Sequence, residues 1–399
     1  MKQSNYKLTV LACFIGYIVQ ALTINFAPLL YVTFGTKYSL SITEISSLIA
    51  VCFTVQLITD ALAAKFSDKM NPRATVVCAN LLAAVGIAGL GILPEIMPPY
   101  IGILLATALS GTGSGLVEVM VSPIVEACPT KRKSAMMSLL HSFYCWGQAG
   151  VVLLSNVFFF LAGIKHWHIL AFLWALIPFM NAILFIFVPI VVPESGKDSN
   201  KQNSFLRNRI FWALIAVMLC AGASEMAMSQ WASSFAESAL GVSKTVGDIM
   251  GPFLFAVLMG TSRVFYARFS TRISLRKFML AGGVLCIVSY LIAALAPHPM
   301  VALIGCALCG LAVGIMWPGG LSTAAGTLPH CGVSTFALLA LAGDLGCLTG
   351  PTIVGTVSGF FGGDLRVSLL FATLFPLLLI FALWYLSAKK KKIKESSKN

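Results

Sequence analysis

Three carboxylic acids stand in the middle of long apolar stretches: Glu118 in Gly-Leu-Val-Glu-Val-Met, Glu225 in Gly-Ala-Ser-Glu-Met and Asp344 in Ala-Gly-Asp-Leu-Gly. A carboxylate in such surroundings costs several kcal/mol unless it is paired, hydrated or protonated, so each is a candidate for proton uptake or for gripping a polar ligand. His141 lies in a fourth apolar stretch. Imidazole changes charge near neutral pH, so His141 paired with Glu118 could hold or pass a proton.

The same stretches contain the groups a small polyhydroxylated molecule needs. Trp146, Trp231 and Trp317 fall inside apolar runs and not at their ends, where tryptophan ordinarily anchors; an indole face can stack on the C–H face of a sugar. Gln20, Asn25, Gln148 and Gln230 offer amide donors and acceptors. The expected ligand-binding set is therefore these seven residues with His141, Glu225 and Asp344, and the expected proton-coupling set is Glu118, Asp344, Glu225 and His141. No metal-ligating set and no cofactor are expected. Cys306 and Cys309 have Cys-x-x-Cys spacing, but they lie in an apolar run without a second pair and read as packing residues.

Positioning these groups is the task of membrane-spanning helices. Of the 399 residues, 58% are hydrophobic and only 10% charged, and the mean hydropathy is +0.90, which excludes an ordinary soluble protein. A span needs roughly 20 mostly apolar residues, and twelve such stretches account for most of the chain. No cleavable signal is read at the start, so the first stretch is expected to remain as a span. At a rise of about 1.5 Å per residue, Glu118, 18 residues past Tyr100, falls in the cytoplasmic half of the fourth span. By the same count Glu225 falls in the outer half of the seventh, Asp344 near the midplane of the eleventh, and His141 at a depth compatible with Glu118 on the fifth.

The net charge of +13 does not indicate nucleic acid, because its placement follows the alternate loops: 23 of the 27 basic residues fall on one side and only Lys37, Lys165, Lys244 and Arg366 on the other. Basic loops face the cytoplasm. Both termini are thus expected to be cytoplasmic, in a multi-pass protein of the cell membrane.

The chain also repeats itself. Ala64-Lys65-Phe66-Ser67 returns 203 residues later as Ala267-Arg268-Phe269-Ser270; Gly115-Leu116 returns as Gly310-Leu311, and Gly150 as Gly350. Offsets this constant indicate a parallel repeat of six spans. The expected division is a six-helix bundle over residues 1–192, a polar cytoplasmic linker over 193–208, a second bundle over 209–388 and a basic tail over 389–399. Asp60 and Arg263 are repeat equivalents just before the two basic links; with Asp68 and Arg73 they are expected to form a cytoplasmic gate of charges that make and break as the halves rock.

Twelve spans in two sixes, a central link, and Asp68-Lys69 followed by Asn71 and Arg73 between the second and third spans resemble the major facilitator superfamily. Within it, Gly115-Leu116-Val117-Glu118 through Ser122-Pro123, Gly222-Ala223-Ser224-Glu225, and Gly343-Asp344 with Gly350-Pro351 are similar to the patterns of the fucose/proton symporter family. Three positions depart from it. Thr23-Ile24-Asn25 stands where that family has a first-span acid, Ser122 where it has Asn, and Gly147-Gln148-Ala149-Gly150-Val151 where many relatives have Gly followed by Pro. The resemblance implies an all-α fold of twelve transmembrane helices in two pseudo-symmetric six-helix bundles, and secondary active transport of a small polar solute by alternating access. A sugar moved in symport with protons, by a monomer embedded in the bilayer, is the expectation. No Gly-x-x-x-x-Gly-Lys-Ser/Thr loop is present, so an ion gradient and not ATP is expected to supply the energy. The alternatives are proton-coupled efflux of drugs or metabolites and a non-transporting nutrient receptor on the same fold. An enzyme is not expected, since there is neither a nucleophile–base–acid set nor a His-Glu-x-x-His motif.

Overall fold

A computed structural model describes residues 6–66, 70–129, 133–190, 208–269, 272–325, 327–328 and 333–396. Asp68, nearly all of the linker and parts of the basic links lie outside them.

Every regular element among the described residues is helical. Twelve stretches are long and apolar enough to cross a membrane: spans 1 to 12 are Tyr6–Tyr38, Ile42–Leu62, Pro72–Ile96, Pro99–Ser122, Leu139–Ala162, Ile164–Phe187, Arg209–Ala239, Lys244–Tyr266, Leu275–Leu295, Pro299–Ala324, Leu338–Phe360 and Leu365–Leu386. An even number returns both chain ends to one face, called here the terminal side; the opposite face is the far side. Helix starts follow from local chemistry. Asn71 accepts from the amides of Arg73 and Ala74 ahead of Pro72, Asn208 accepts from Ile210, and Asp364 from Arg366 and Val367, each satisfying amides that a first turn leaves unpaired.

Spans 1 to 6 pack mainly among themselves, as do spans 7 to 12, and span 2 lies against span 11 between the two sets. Small residues set how closely neighbours approach, as is general where lipid removes the hydrophobic drive between helices. In span 4, a Cβ on Gly111 would come 2.8 Å from the Cys52 carbonyl, and one on Gly115 would meet the Gln56 carbonyl at 3.1 Å and Asp60 Oδ1 at 2.7 Å. Span 2 is thereby pressed onto span 4 at Glu118. The repeat equivalent does the same in the other half, where Gly310 and Gly314 of span 10 lie on the backbone of Phe255 and Met259 in span 8. Gly346 and Gly350 seat span 11 on Leu219 and Ala223 of span 7.

Several spans are interrupted. Span 1 passes through a 3-10 turn at Ala27–Leu30 and ends at Ser39 in the left-handed region (φ 57°). Spans 7 and 8 contain π-helical turns at Phe235–Ala239 and Ile249–Phe253, and span 10 breaks between Val313 and Met316. Such irregular backbone is tolerated at membrane depth where it faces protein or a cavity. Cys306 and Cys309 are wholly buried in span 10, with Cys309 Sγ 3.9 Å from Cys286 Sγ.

Candidate functional site

The two sets of helices line a central cavity that is partly open to solvent. Glu118, Glu225, Asp344 and His141, placed on four different spans, all line it, as do Gln20 and Trp317.

Glu118 receives two amides: Gln20 Nε2 of span 1 at 2.5 Å and Gln56 Nε2 of span 2 at 2.9 Å, both donating to Oε2. Asp60, one turn beyond Gln56 on the same helix face, brings a third group. Oxygens of Asp60, Glu118 and Asp344 lie within 4.8 Å of one another, so the acid of span 11 meets two acids of the other half. These three carboxyls are the group at the site able to hold a cation, although no metal-ligating residues were read in the sequence.

On the opposite wall, Arg263 Nη2 lies 3.8 Å from Glu225 Oε2. Its Nε donates to the Gly314 carbonyl at 3.1 Å and its Nη1 to Cys145 Sγ at 3.2 Å. The reason the Gly314 carbonyl is available is local: Pro318, four residues on, has no N–H to close the helical bond. The break in span 10 thus becomes the seat of the guanidinium. His141 meets the Tyr17 ring edge-on at 5.0 Å between centroids, and Tyr17 shares a hydrogen bond of 3.0 Å with Ser122. The indole of Trp317 lies against Gly343, next to Asp344.

The remaining expected residues are placed differently. Trp146 does not line the cavity; it is 47% exposed, with its ring beside Gly260. Trp231 is buried and donates to the Pro351 carbonyl at 3.0 Å, as packing between spans 7 and 11. Asn25 turns back to the Ala21 carbonyl (2.8 Å) and lies 3.5 Å from the Tyr144 hydroxyl. Gln148 donates to Ser229 Oγ at 3.0 Å and Gln230 to the Ile24 carbonyl at 3.4 Å. Both amides therefore join one half to the other instead of facing the cavity. Of the expected gate set, three residues are described. Asp60 belongs to the carboxyl cluster and Arg263 to the cavity wall, while Arg73 donates to the carbonyls of Phe185 and Ile186 at the end of span 6. Asp68 lies outside the described residues.

Two features went unread in the sequence. Gln56 completes the Glu118 environment; its spacing of four residues from Asp60 would have placed both on one helix face. Lys244, near the start of span 8, is 3.0 Å from Asp248, 3.2 Å from Glu237 and 2.5 Å from the Leu29 carbonyl of the other half, with its ammonium 5.6 Å from the Phe159 ring centroid. The i,i+4 spacing of Lys244 and Asp248 was its signal. Nearby, Ser46 of span 2 reaches the Thr352 carbonyl at 3.4 Å and Thr43 lies against Gly359. The far-side ends of the halves are thus in contact at several places.

No curated protein sequence matches the chain. Among solved structures, a bacterial homologue of the human lysosomal transporter Spinster, in an inward-facing and occupied conformation, is similar at a TM-score of 0.81 and 14% identity, over 97% of this chain and 98% of that one. A D-xylose–proton symporter is similar at a TM-score of 0.76 and 15% identity, over 96% and 97%. The E. coli fucose:proton symporter FucP gives 0.65 and 16%, over 96% and 99%. The sequence model of the Major Facilitator Superfamily matches residues 10–351 and again 250–399. Twelve spans in two packed sets, a cavity between them lined with acids from both, and this match together make the chain a member of the Major Facilitator Superfamily of membrane transporters.

Proposed function

We propose that the chain carries a small polar solute, a sugar in the first instance, across the cell membrane by alternating access, driven by protons taken up on the cavity carboxyls. The observation that carries the reading is the convergence of acids from both halves on one cavity. Rocking of the halves must separate Asp344 from Asp60 and Glu118, so the charge they bear together enters the free-energy difference between the two conformations. Neutralising a carboxyl lowers the repulsion within the cluster, which ties ion uptake to the conformational step. Gln20, Trp317, Glu225 and Arg263 offer a hydroxylated solute an amide, an aromatic face and an ion pair within the same space.

The basic loops support assigning the terminal side to the cytoplasm. With that orientation, the far-side contacts through Ser46, Gln148, Gln230 and Lys244 correspond to a carrier closed to the outside.

Reconstitution into liposomes tests it. Counterflow of a labelled monosaccharide is expected, with uphill accumulation that collapses on adding a protonophore. Binding without flux would leave a receptor, and flux of drugs alone would move the assignment to efflux.

A further inference from the structure

The cavity wall formed by spans 5 and 8 holds hydrogen-bond donors that the protein does not use itself. Arg263 is fixed from behind, with Nε on the Gly314 carbonyl and Nη1 on Cys145 Sγ. Its Nη2 has two hydrogens and reaches only a weak acceptor, Met259 Sδ at 3.7 Å. The oxygen beside it, Glu225 Oε2 at 3.8 Å, stands outside hydrogen-bonding distance. One N–H of Nη2 is therefore left over, on a side chain that lines the cavity.

Span 5 supplies two more donors. His141, Tyr144 and Cys145 are spaced i, i+3 and i+4 and so share one helix face. Gly260, three residues before Arg263, lets that face come up to span 8: a Cβ there would lie 3.5 Å from Cys145 Cβ. Tyr144 and His141 both line the cavity and are near enough to the guanidinium to interact with it electrostatically. The Tyr144 hydroxyl accepts from Asn25 at 3.5 Å, and among the described residues its own proton has no acceptor. His141 is exposed, and among the described residues neither of its ring nitrogens is hydrogen-bonded.

A guanidinium N–H, a phenol O–H and an imidazole N–H, contributed by both halves, thus open onto one space with no protein oxygen to take them. An oxyanion is the partner such a set fits, through charge-assisted hydrogen bonds. Among the described residues that line the cavity, Arg263 is the one Lys or Arg, which suits a single negative charge better than a phosphate bearing nearly two. The opposite wall has the reverse character, since Glu118 and Asp344 accept hydrogen bonds and repel anions. A ligand matched to both walls has a carboxylate at one end and hydroxyl donors along the rest.

We propose that Arg263, Tyr144 and His141 form a carboxylate subsite and that the carried solute is an acidic sugar, a polyhydroxylated monocarboxylate of the aldonate or uronate class. The proposal rests on the carrier reading of the cavity and narrows its solute. Glu225 balances the guanidinium while the cavity is empty; the solute's carboxylate takes Nη2 at hydrogen-bonding distance, which Glu225 does not reach. The charge it brings is offset by a proton taken up on the cavity carboxyls, so the loaded cavity is no more negative than the empty one.

The test is titration calorimetry on the purified full-length protein in detergent with D-gluconate, D-glucuronate, D-glucitol, D-glucose and D-glucose 6-phosphate. At least one of the two acids is expected to bind about tenfold or more tightly than its uncharged counterpart, the worth of a hydrogen bond to a charged group, and more tightly than the sugar phosphate. Tyr144→Phe removes one hydroxyl and is expected to weaken binding of the acid about two- to tenfold while leaving the uncharged sugars unchanged. Arg263→Gln/Glu225→Gln, which strands neither charge, is expected to erase the preference for the acid, and its melting temperature without ligand checks that it is folded. Equal affinities for acid and uncharged sugar, no saturable binding of either acid, tighter binding of the sugar phosphate, or a preference that survives in the double variant overturns the inference. Counterflow in liposomes separates it from the carrier reading. Counterflow of glucose with none of either acid removes the acidic-sugar assignment alone, whereas selective binding of an acid without any flux removes the carrier reading alone.

Discussion

Lys244→Met is the most informative single perturbation of the conformational equilibrium. The ammonium makes three polar contacts, and they act differently. Those to Glu237 and Asp248 are internal to the C-terminal half, close by in sequence, and persist however the halves move. The bond to the Leu29 carbonyl crosses to the other half and exists only while the far side is closed. A hydrogen bond from a charged donor contributes about 1.5–3 kcal/mol, which at about 1.4 kcal/mol per factor of ten shifts the closed-to-open ratio by about 10- to 150-fold. The substitution also strands Asp248, whose side chain is 1% exposed. Breaking a buried pair from one side costs about 3–5 kcal/mol in overall stability, but this applies to both conformations and cancels from the ratio. Lys244→Met/Asp248→Asn therefore separates the effects: stability recovers while the equilibrium stays shifted. Electron–electron distance measurements between spin labels at Lys165 and Pro297, exposed far-side positions in the two halves, would read this directly once the exposed Cys78 and Cys331, which lies outside the described residues, are replaced. A longer-distance population is expected in both variants. Distance distributions unchanged from the parent in the double variant would refute a latch at Leu29.

Glu118→Gln and Asp344→Asn are each expected to abolish uphill uptake in liposomes, with at least one of them retaining solute exchange; wild-type accumulation ratios in both would remove the carboxyls from coupling. Trp317→Ala should weaken solute binding at least tenfold in a saturation assay, while Trp146→Ala, away from the cavity, should change it less than twofold; the opposite order would mean that the solute lies elsewhere. Gly346→Val places a branched side chain against the Leu219 carbonyl and is expected to destabilise the packing of spans 7 and 11 by about 1–3 kcal/mol, the range for overpacking, seen as a lower melting temperature in detergent. An unchanged melting temperature would show that the two helices separate there without cost.

The architecture was legible in the sequence because each of its determinants is a run or a repeat. Twelve apolar stretches define twelve spans, and residue counts from the loops bring Glu118, Glu225, Asp344 and His141 into one cavity. The counts fail for direction around the helix axis. Asn25, Gln148, Gln230 and Trp231 have suitable depths, yet the first turns to its own backbone, the fourth donates to the Pro351 carbonyl of span 11 with its ring near Tyr31 of span 1, and the other two reach across to the opposite half. Asp60 and Arg263 read as gate charges because they precede basic links. Their actual positions depend on Gly115, which draws span 2 onto span 4, and on Pro318, which frees a carbonyl for the guanidinium. Both are pairwise properties of neighbouring helices, and no single-span pattern reveals them. Gln56 and Lys244 were accessible in principle, since each is four residues from an acid on its own helix.

The seam between spans 2 and 11 has a consequence for turnover. Where the halves touch near the far side, Ser46 and Thr43 face Gly355 and Gly359, so the two helices approach closely through small and hydroxylated residues. Parting them there exposes glycine backbone and the Ser46 and Thr43 hydroxyls, groups that water solvates readily. A single leucine introduced at Gly355 or Gly359 would therefore act as a wedge, holding open a surface that ordinarily closes flush.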